Sequence, residues 1–255
     1  MSYNSRYWGD KENRAKTARE HTKKMEEEYS TQIKECIKNT VLYDDSNALP
    51  VVSSSVPKVI VDDIDSVGGA FKYLDGKTAI LNFASYKNPG GMFIDGSKAQ
   101  EECLCHESFL YNVLKEKPDY YEYNNAHKNK ALYLNRCLYS KDVIFIHDGK
   151  KANIDVITCA SPNFATFGKY FFTNKKENSD ALKSRINFIK NISEIEKVDT
   201  LILGAFGCGV FKQDATEVAS YFKEAFKTST VKTIVYAVPS GSDKSNYNAF
   251  KSVFE

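Results

Sequence analysis

Two short stretches hold the residue types from which a reaction centre can be assembled. The first, NPGGMFIDGSKAQEE, runs from Asn88 to Glu102 and ends in the adjacent carboxylates Glu101 and Glu102. The second, GAFGCGVF, runs from Gly204 to Phe211. A carboxyl group can give a proton to a leaving oxygen and then, as carboxylate, take one from water. Glycines admit positive φ and let the backbone approach a phosphate oxygen, and the free N–H groups of a helix start present positive charge to it. Each feature also has an ordinary structural reading. Glycine after a strand is common turn chemistry, and carboxylates in a first helical turn are favoured by the helix dipole alone. On residue types alone, both readings stand.

Spacing narrows the chemistry. Neighbours on a helix point about 100° apart, so Glu101 and Glu102 do not suit the facing acid–base pair of the usual glycosidase. The arrangement leaves one to face a pocket and titrate while the other holds a ligand hydroxyl. GAFGCGVF lacks the GxGxxG spacing of a dinucleotide-binding turn, and no Gly-Lys-Ser/Thr follows it. Cys103, Cys105 and His106 are close in sequence, but positions 103 and 105 leave a helix on different sides and no second ligand pair occurs, so no metal site is expected. The histidines His21, His106, His127 and His147 form no triad with a serine or cysteine in a GxSxG setting. The Tyr-, Asn- and Lys-rich stretch 116–142 offers rings for stacking but no ribonucleoprotein motif, and reads as an irregular, packed surface loop.

Both glycine loops must be carried by strands. TAILNFAS and DTLILGAF are apolar runs of strand length leading directly into them, and KVIVDDID, DVIFIHD, IDVITCAS and VKTIVYAVPS read as further strands. Residues 10–38 read as one or two helices with Asp10 as the cap, residues 100–115 as one helix, and SDALKSRINFIKNISEIEK as a helix capped by Ser179 or Asp180. DATEVASYFKEAF is amphipathic, NYNAFKSVF closes the chain, and residues 39–56 and the run NFATFGKYFFTNKKENSD are expected as connections. Apolar strands alternating with helices indicate an α/β sheet covered on both faces, with antiparallel pairs where connections are short. In such sheets ligands sit beyond the carboxyl ends of the strands, which is where both loops fall.

Composition excludes whole classes of partner. The chain has 255 residues, 42% hydrophobic, and 35 basic against 33 acidic side chains give a net charge of +2. That balance gives no reason to expect binding to bulk nucleic acid or an acidic membrane, and no apolar run approaches the roughly 20 residues of a membrane span. No apolar h-region opens the sequence, so a secretory signal is not expected. Several of the six cysteines lie in apolar strand-like runs, which suits reduced thiols and a cytoplasmic location.

The order of parts carries a resemblance. An apolar strand leads to NPGG, QEE follows at a helix start, and a late strand leads to GAFGCGVF. With the helical N-terminal run RAKTAREHTKK, this resembles the microbial type of poly(ADP-ribose) glycohydrolase, a branch of the macrodomain fold. The resemblance spans most of the chain, from about residue 12 to 240. It implies a three-layer α/β/α mixed sheet, with residues 1–40 as a helical extension and 41–255 as one ADP-ribose-binding, catalytic unit. Glu102 would be the acid/base, while Glu101 and Asn88 would position the distal ribose. Gly90 and Gly91 would wrap the diphosphate on one side, with Gln100 at the helix start as a further substrate-binding residue. The loop Gly207, Cys208, Gly209, Val210 and Phe211 would wrap the diphosphate on the other, with Phe211 near the distal ribose. The reaction would be hydrolysis of the ribose–ribose O-glycosidic bond of poly(ADP-ribose) on modified proteins, with no cofactor and no metal. A raised pKa from burial would suit Glu102 to this task. The family's third loop glycine is Met92 here. A non-catalytic ADP-ribose-binding module and a hydrolase of another ADP-ribosyl conjugate are the alternatives that the same residues allow.

Overall fold

The computed structural model describes residues 10–166, 174–241 and 244–255. Its centre is a seven-stranded mixed sheet in the order β1-β4-β5-β3-β6-β7-β2. The strands are β1 (Val41–Asp44), β2 (Lys58–Asp62), β3 (Thr78–Phe83), β4 (Arg136–His147), β5 (Lys150–Cys159), β6 (Thr200–Leu203) and β7 (Thr233–Ala237). From β5 to β2 the neighbours are parallel, whereas β4 runs antiparallel to both β5 and β1. The antiparallel pair β4–β5 is a hairpin, as the short connection between DVIFIHD and IDVITCAS requires.

Helices cover both faces, which makes the continuous apolar runs of β3, β6 and β7 necessary. One face buries Leu81, Ile157, Leu201 and Ile234 against α6 (Lys175–Ile195), α7 (Ala215–Ala225) and α8 (Ser245–Phe254). The other buries Ile80, Val156, Ile202 and Val235 against α1 (Lys11–Asn39), α2 (Ser66–Lys72), α3 (Gln100–His106), α4 (Leu110–Leu114) and α5 (Pro118–Ala126). Alternate residues of each strand thus serve opposite cores. The Asp10 side chain caps α1 by accepting from the Asn13 N–H, and the helix kinks at Tyr29. Among the described residues, no helix is long and apolar enough to cross a membrane.

Four expectations from sequence are corrected. The stretch 116–142 is not an irregular loop: Pro118 opens α5, Tyr120 and Tyr121 are buried, and β4 begins at Arg136. The segment 100–115 is two helices, because the Glu107 carbonyl accepts from the Ile146 N–H and Ser108 bridges to Phe145, pulling that turn onto β4. Residues 41–44 in the expected connection 39–56 form β1. Finally, α6 begins at Lys175 and is capped by Asn174, whose side chain accepts from the Glu177 N–H while Glu177 accepts from the Asn174 N–H. That reciprocal capping box outweighs the later polar pair. Of the expected connection before it, residues 167–173 lie outside the described residues, as do residues 1–9 of the N-terminal run.

Candidate active site

The loop between β3 and α3 is built around two left-handed glycines. Gly90 and Gly91 have φ of 62° and 65°, a region that costs a side-chain-bearing residue about 1–2 kcal/mol. The Gly91 N–H closes a turn onto the Asn88 carbonyl at 3.1 Å. Phe93 then plunges into the core, fully buried between His106 and Tyr111, and fixes the loop to α3 and α4. The N-terminal helix grips the same loop from outside: Arg14 donates to the Gly96 carbonyl at 2.7 Å and Arg19 to that of Ile94 at 3.2 Å. Burial holds His21 and His106 below the ordinary imidazole range, His106 at about 4, so both are neutral packing groups at physiological pH. Nε2 of His21 donates to the Ser108 carbonyl.

Both glutamates are buried, Glu101 at 3% and Glu102 at 6% exposure. The rotation separating them along the helix is taken up by their side chains, and both reach the same point. A Cβ on Gly91 would stand 2.5 Å from Glu102 Oε1 and 3.1 Å from Glu101 Oε2. Their hydrogen bonding differs. Glu101 accepts from the Ser85 N–H at 2.7 Å and from Asn82 Nδ2 at 3.2 Å, so both its oxygens are held. Glu102 Oε1 accepts from the Met92 N–H at 3.0 Å, while its buried Oε2 has no partner among the described residues. Burial pushes Glu101 up to about 8, and the neighbouring Glu102 charge adds to the shift. At neutral pH Glu101 therefore retains its proton.

The loop after β6 faces this one. Gly204 lacks a Cβ where one would stand 2.6 Å from the Ala237 carbonyl, which lets β6 run close against β7. Gly207, at φ 78°, would strike Ser161 Oγ. By contrast, Gly209 needs no unusual φ, and nothing among the described residues lies within 4 Å of its absent Cβ. Gln213 ties the loop down by donating to the Pro162 carbonyl and exchanging two hydrogen bonds with Asn178. Asp214 then caps α7.

Between the loops lies a cleft of about 530 Å³, with Phe83, Gln100, Gly207, Gly209, Val210 and Phe211 in its walls. Among the described residues its only charged wall groups are Lys98 and Lys212. An adjoining hollow of about 350 Å³ shares the Phe83–Gln100 wall and extends to Asp65, Val238 and Asn246. Every wall segment follows the carboxyl end of a parallel strand or begins α3, as the topology requires. Of the residues singled out from sequence, Gln100 and four of the Gly207–Phe211 run line the cleft, whereas Asn88, Gly90, Gly91, Glu101, Glu102 and Cys208 do not. The amide of Gln100 is committed to the Phe83 N–H, the Leu81 carbonyl and Ser66 Oγ, so it fixes α3 to the end of β3. Burial pushes the Cys208 thiol up to about 12, which makes it unreactive. Sequence reasoning passed over Asn82 and Ser85, which hold Glu101, and both lysines. Lone polar residues at a strand end carry no signal of their own, but the two positive charges of the cleft were visible in the two loops.

No curated protein matches the chain. Solved structures do. Over 95% of this chain and all of the other, the fold superposes with TM-score 0.87 at 23% identity on the poly(ADP-ribose) glycohydrolase (PARG) of Thermomonospora curvata, and equally well at 24% on that enzyme bound to the inhibitor ADP-HPD. The PARG of Deinococcus radiodurans in complex with ADP-ribose matches with TM-score 0.81 and 26% identity over 88% of this chain and 98% of that one. Residues 12–148 match the microbial-type PARG catalytic domain. That match takes in more than half of the chain, including the whole Asn88–Glu102 loop with its glutamate pair, and the protein therefore belongs to the microbial-type PARG catalytic-domain family.

Proposed function

We propose that the protein binds the terminal ADP-ribose unit of poly(ADP-ribose) in the cleft and hydrolyses the ribose–ribose bond beside it, in a macrodomain-type architecture. The reading rests on one observation above others: Glu102 Oε2 is a buried carboxyl oxygen with no partner among the described residues, next to a group that keeps a proton to about pH 8. An unsatisfied buried oxygen is costly unless a ligand completes it.

Glu101, held by Ser85 and Asn82, positions the distal ribose and holds the proton that passes through Glu102 to the leaving group. Glu102 delivers a proton to the departing 2′-oxygen. As the C1–oxygen bond breaks, the ribose carbon takes on oxocarbenium character, stabilised by the adjacent diphosphate. The carboxylate then removes a proton from the water that attacks that carbon, releasing ADP-ribose and restoring the acid. The diphosphate lies along Gly207–Phe211, where the missing Cβ of Gly209 leaves room and the two lysines supply the countercharge. Asn88 and Phe211 flank the distal ribose. The partners are ADP-ribosylated proteins, in a cytoplasmic setting.

Incubation with poly(ADP-ribose) tests this. The wild type is expected to release ADP-ribose, and Glu102→Gln to bind ADP-ribose while losing at least about 100-fold in kcat, as loss of a general acid entails. Binding without release by the wild type would overturn the reading in favour of a non-catalytic ADP-ribose module. Release from another ADP-ribosyl conjugate alone would move the substrate but keep the acid.

A further inference from the structure

One residue along the chain from Ser85 begins an aromatic wall of which the reaction as described uses Phe211 alone. Tyr86 follows Ser85, whose N–H holds Glu101. Its ring stacks on Tyr133, with centroids 4.4 Å apart and planes at 22°. Tyr133 in turn meets Phe211 at 6.4 Å, so the wall joins both loops of the site. Tyr133 is buried, whereas Tyr86 and Phe211 are half-buried.

The wall is held at a conformational cost. Asn129, Lys130, Ala131 and Tyr133 all take left-handed φ, between 43° and 65°, and of these only asparagine visits that region readily. The buried guanidinium of Arg185 clamps the segment, donating to the carbonyls of Leu132 and Ala160 and to Asn135 Oδ1. From the opposite side the Asn163 N–H donates to the Ala131 carbonyl at 2.8 Å. Ordinary core packing of a tyrosine needs no such run. Over-determined left-handed backbone is characteristic of ligand clamps.

The chemistry of the polymer says what rings at this place can recognise. The bond broken joins the distal ribose to the 2′-oxygen of an adenosine, and that adenosine carries its adenine on the neighbouring C1′. A purine therefore stands within one ribose of the scissile bond on the leaving side. When the leaving group is a protein side chain, no base is there. We propose that the face of Tyr86 turned away from Tyr133 stacks the adenine of the leaving unit, so that the site favours polymer over mono-ADP-ribosylated protein. The assignment of the leaving side rests on the reading of Glu102 as the acid.

Binding to the Glu102→Gln protein, which cannot turn substrate over, tests the stacking site by titration with ADP-ribose and with a two-unit ADP-ribose oligomer. Base stacking on an aromatic ring predicts a preference for the two-unit ligand on the order of tenfold. Adding Tyr86→Ala is expected to abolish that preference and Tyr86→Phe to keep it. Because the readout is a ratio of two affinities, a general loss of fold cancels. Equal affinities in the parent protein, or a preference that survives Tyr86→Ala, would overturn the proposal. If the wild type cleaves no polymer while the Tyr86-dependent preference holds, the glycohydrolase reading falls and the stacking site stands. If the wild type cleaves polymer and the preference is absent, the stacking site falls and the glycohydrolase reading stands.

Discussion

Glu101→Gln isolates the proton that the buried Glu101 carboxyl retains. Folding takes Glu101 to 3% exposure, and burial, reinforced by Glu102, moves its pKa from 4.5 to about 8. Between those values the native state holds a proton that the unfolded chain has released. Stability therefore falls as pH rises, with the penalty absent below about 4.5 and complete above about 8. A difference of one proton is worth about 1.4 kcal/mol per pH unit. His21 and His106, lowered by burial, act in the opposite sense, but only below about pH 6.5, where the unfolded imidazole protonates. Between pH 6.5 and 8 the Glu101 contribution is thus about 2 kcal/mol, or about 4–8 °C in unfolding midpoint for a chain of this length. The glutamine variant cannot titrate. Its carbonyl keeps the Ser85 N–H, and once the Asn82 amide turns over, its NH₂ can donate to Asn82 Oδ1, which is now buried without a partner. Thermal unfolding across this range at constant ionic strength is expected to show a falling wild-type midpoint, a flatter variant profile and the variant more stable at pH 8. Parallel profiles would refute the assignment of the proton to Glu101.

Two glycines are predicted to fail in different ways. Gly91→Ala drives a Cβ to 2.5 Å from Glu102 Oε1 at φ 65°, so the midpoint should drop by about 2–8 °C and kcat by roughly 100-fold through displacement of the carboxyl proposed as the acid. Near-normal turnover would show that Gly91 does not set the carboxylate's position. Gly209→Ala places its methyl in open space without left-handed strain, so stability should stay within about 0.5 kcal/mol of wild type. ADP-ribose affinity, measured by calorimetry, should weaken roughly tenfold, and an unchanged affinity would mean that no phosphate approaches there.

What sequence could show of this site divides by the range of the interaction. Strands leading into NPGG and GAFGCGVF, and a helix opening at QEE, are local patterns, and all appear where expected. The Asp10 cap is local too, and its side chain accepts from the Asn13 N–H. Contacts between distant segments were not legible. Helix 100–115 breaks because Glu107 meets Ile146, and the Tyr-rich stretch orders because Arg185, far along the chain, holds Leu132. The distinction between the two glutamates is of the same kind. Adjacent in sequence and alike in burial, they differ because Ser85 and Asn82 close one carboxylate while the other keeps an oxygen open.

Met92 shows how a departure from the resembled motif can leave its physics intact. Three consecutive glycines would suggest that three positions need freedom from a side chain, yet the left-handed backbone here ends at Gly91. Met92 takes φ of −119°, where a side chain brings no strain, and its side chain is 43% exposed. The contribution of this position to Glu102 is made by the main chain, whose N–H fixes Glu102 Oε1 at 3.0 Å and so leaves Oε2 as the open oxygen. A methionine supplies that N–H as well as a glycine does, and ordering it costs the loop less backbone entropy than a third glycine would. The residue this geometry excludes is proline, which has no N–H to give and cannot reach that φ.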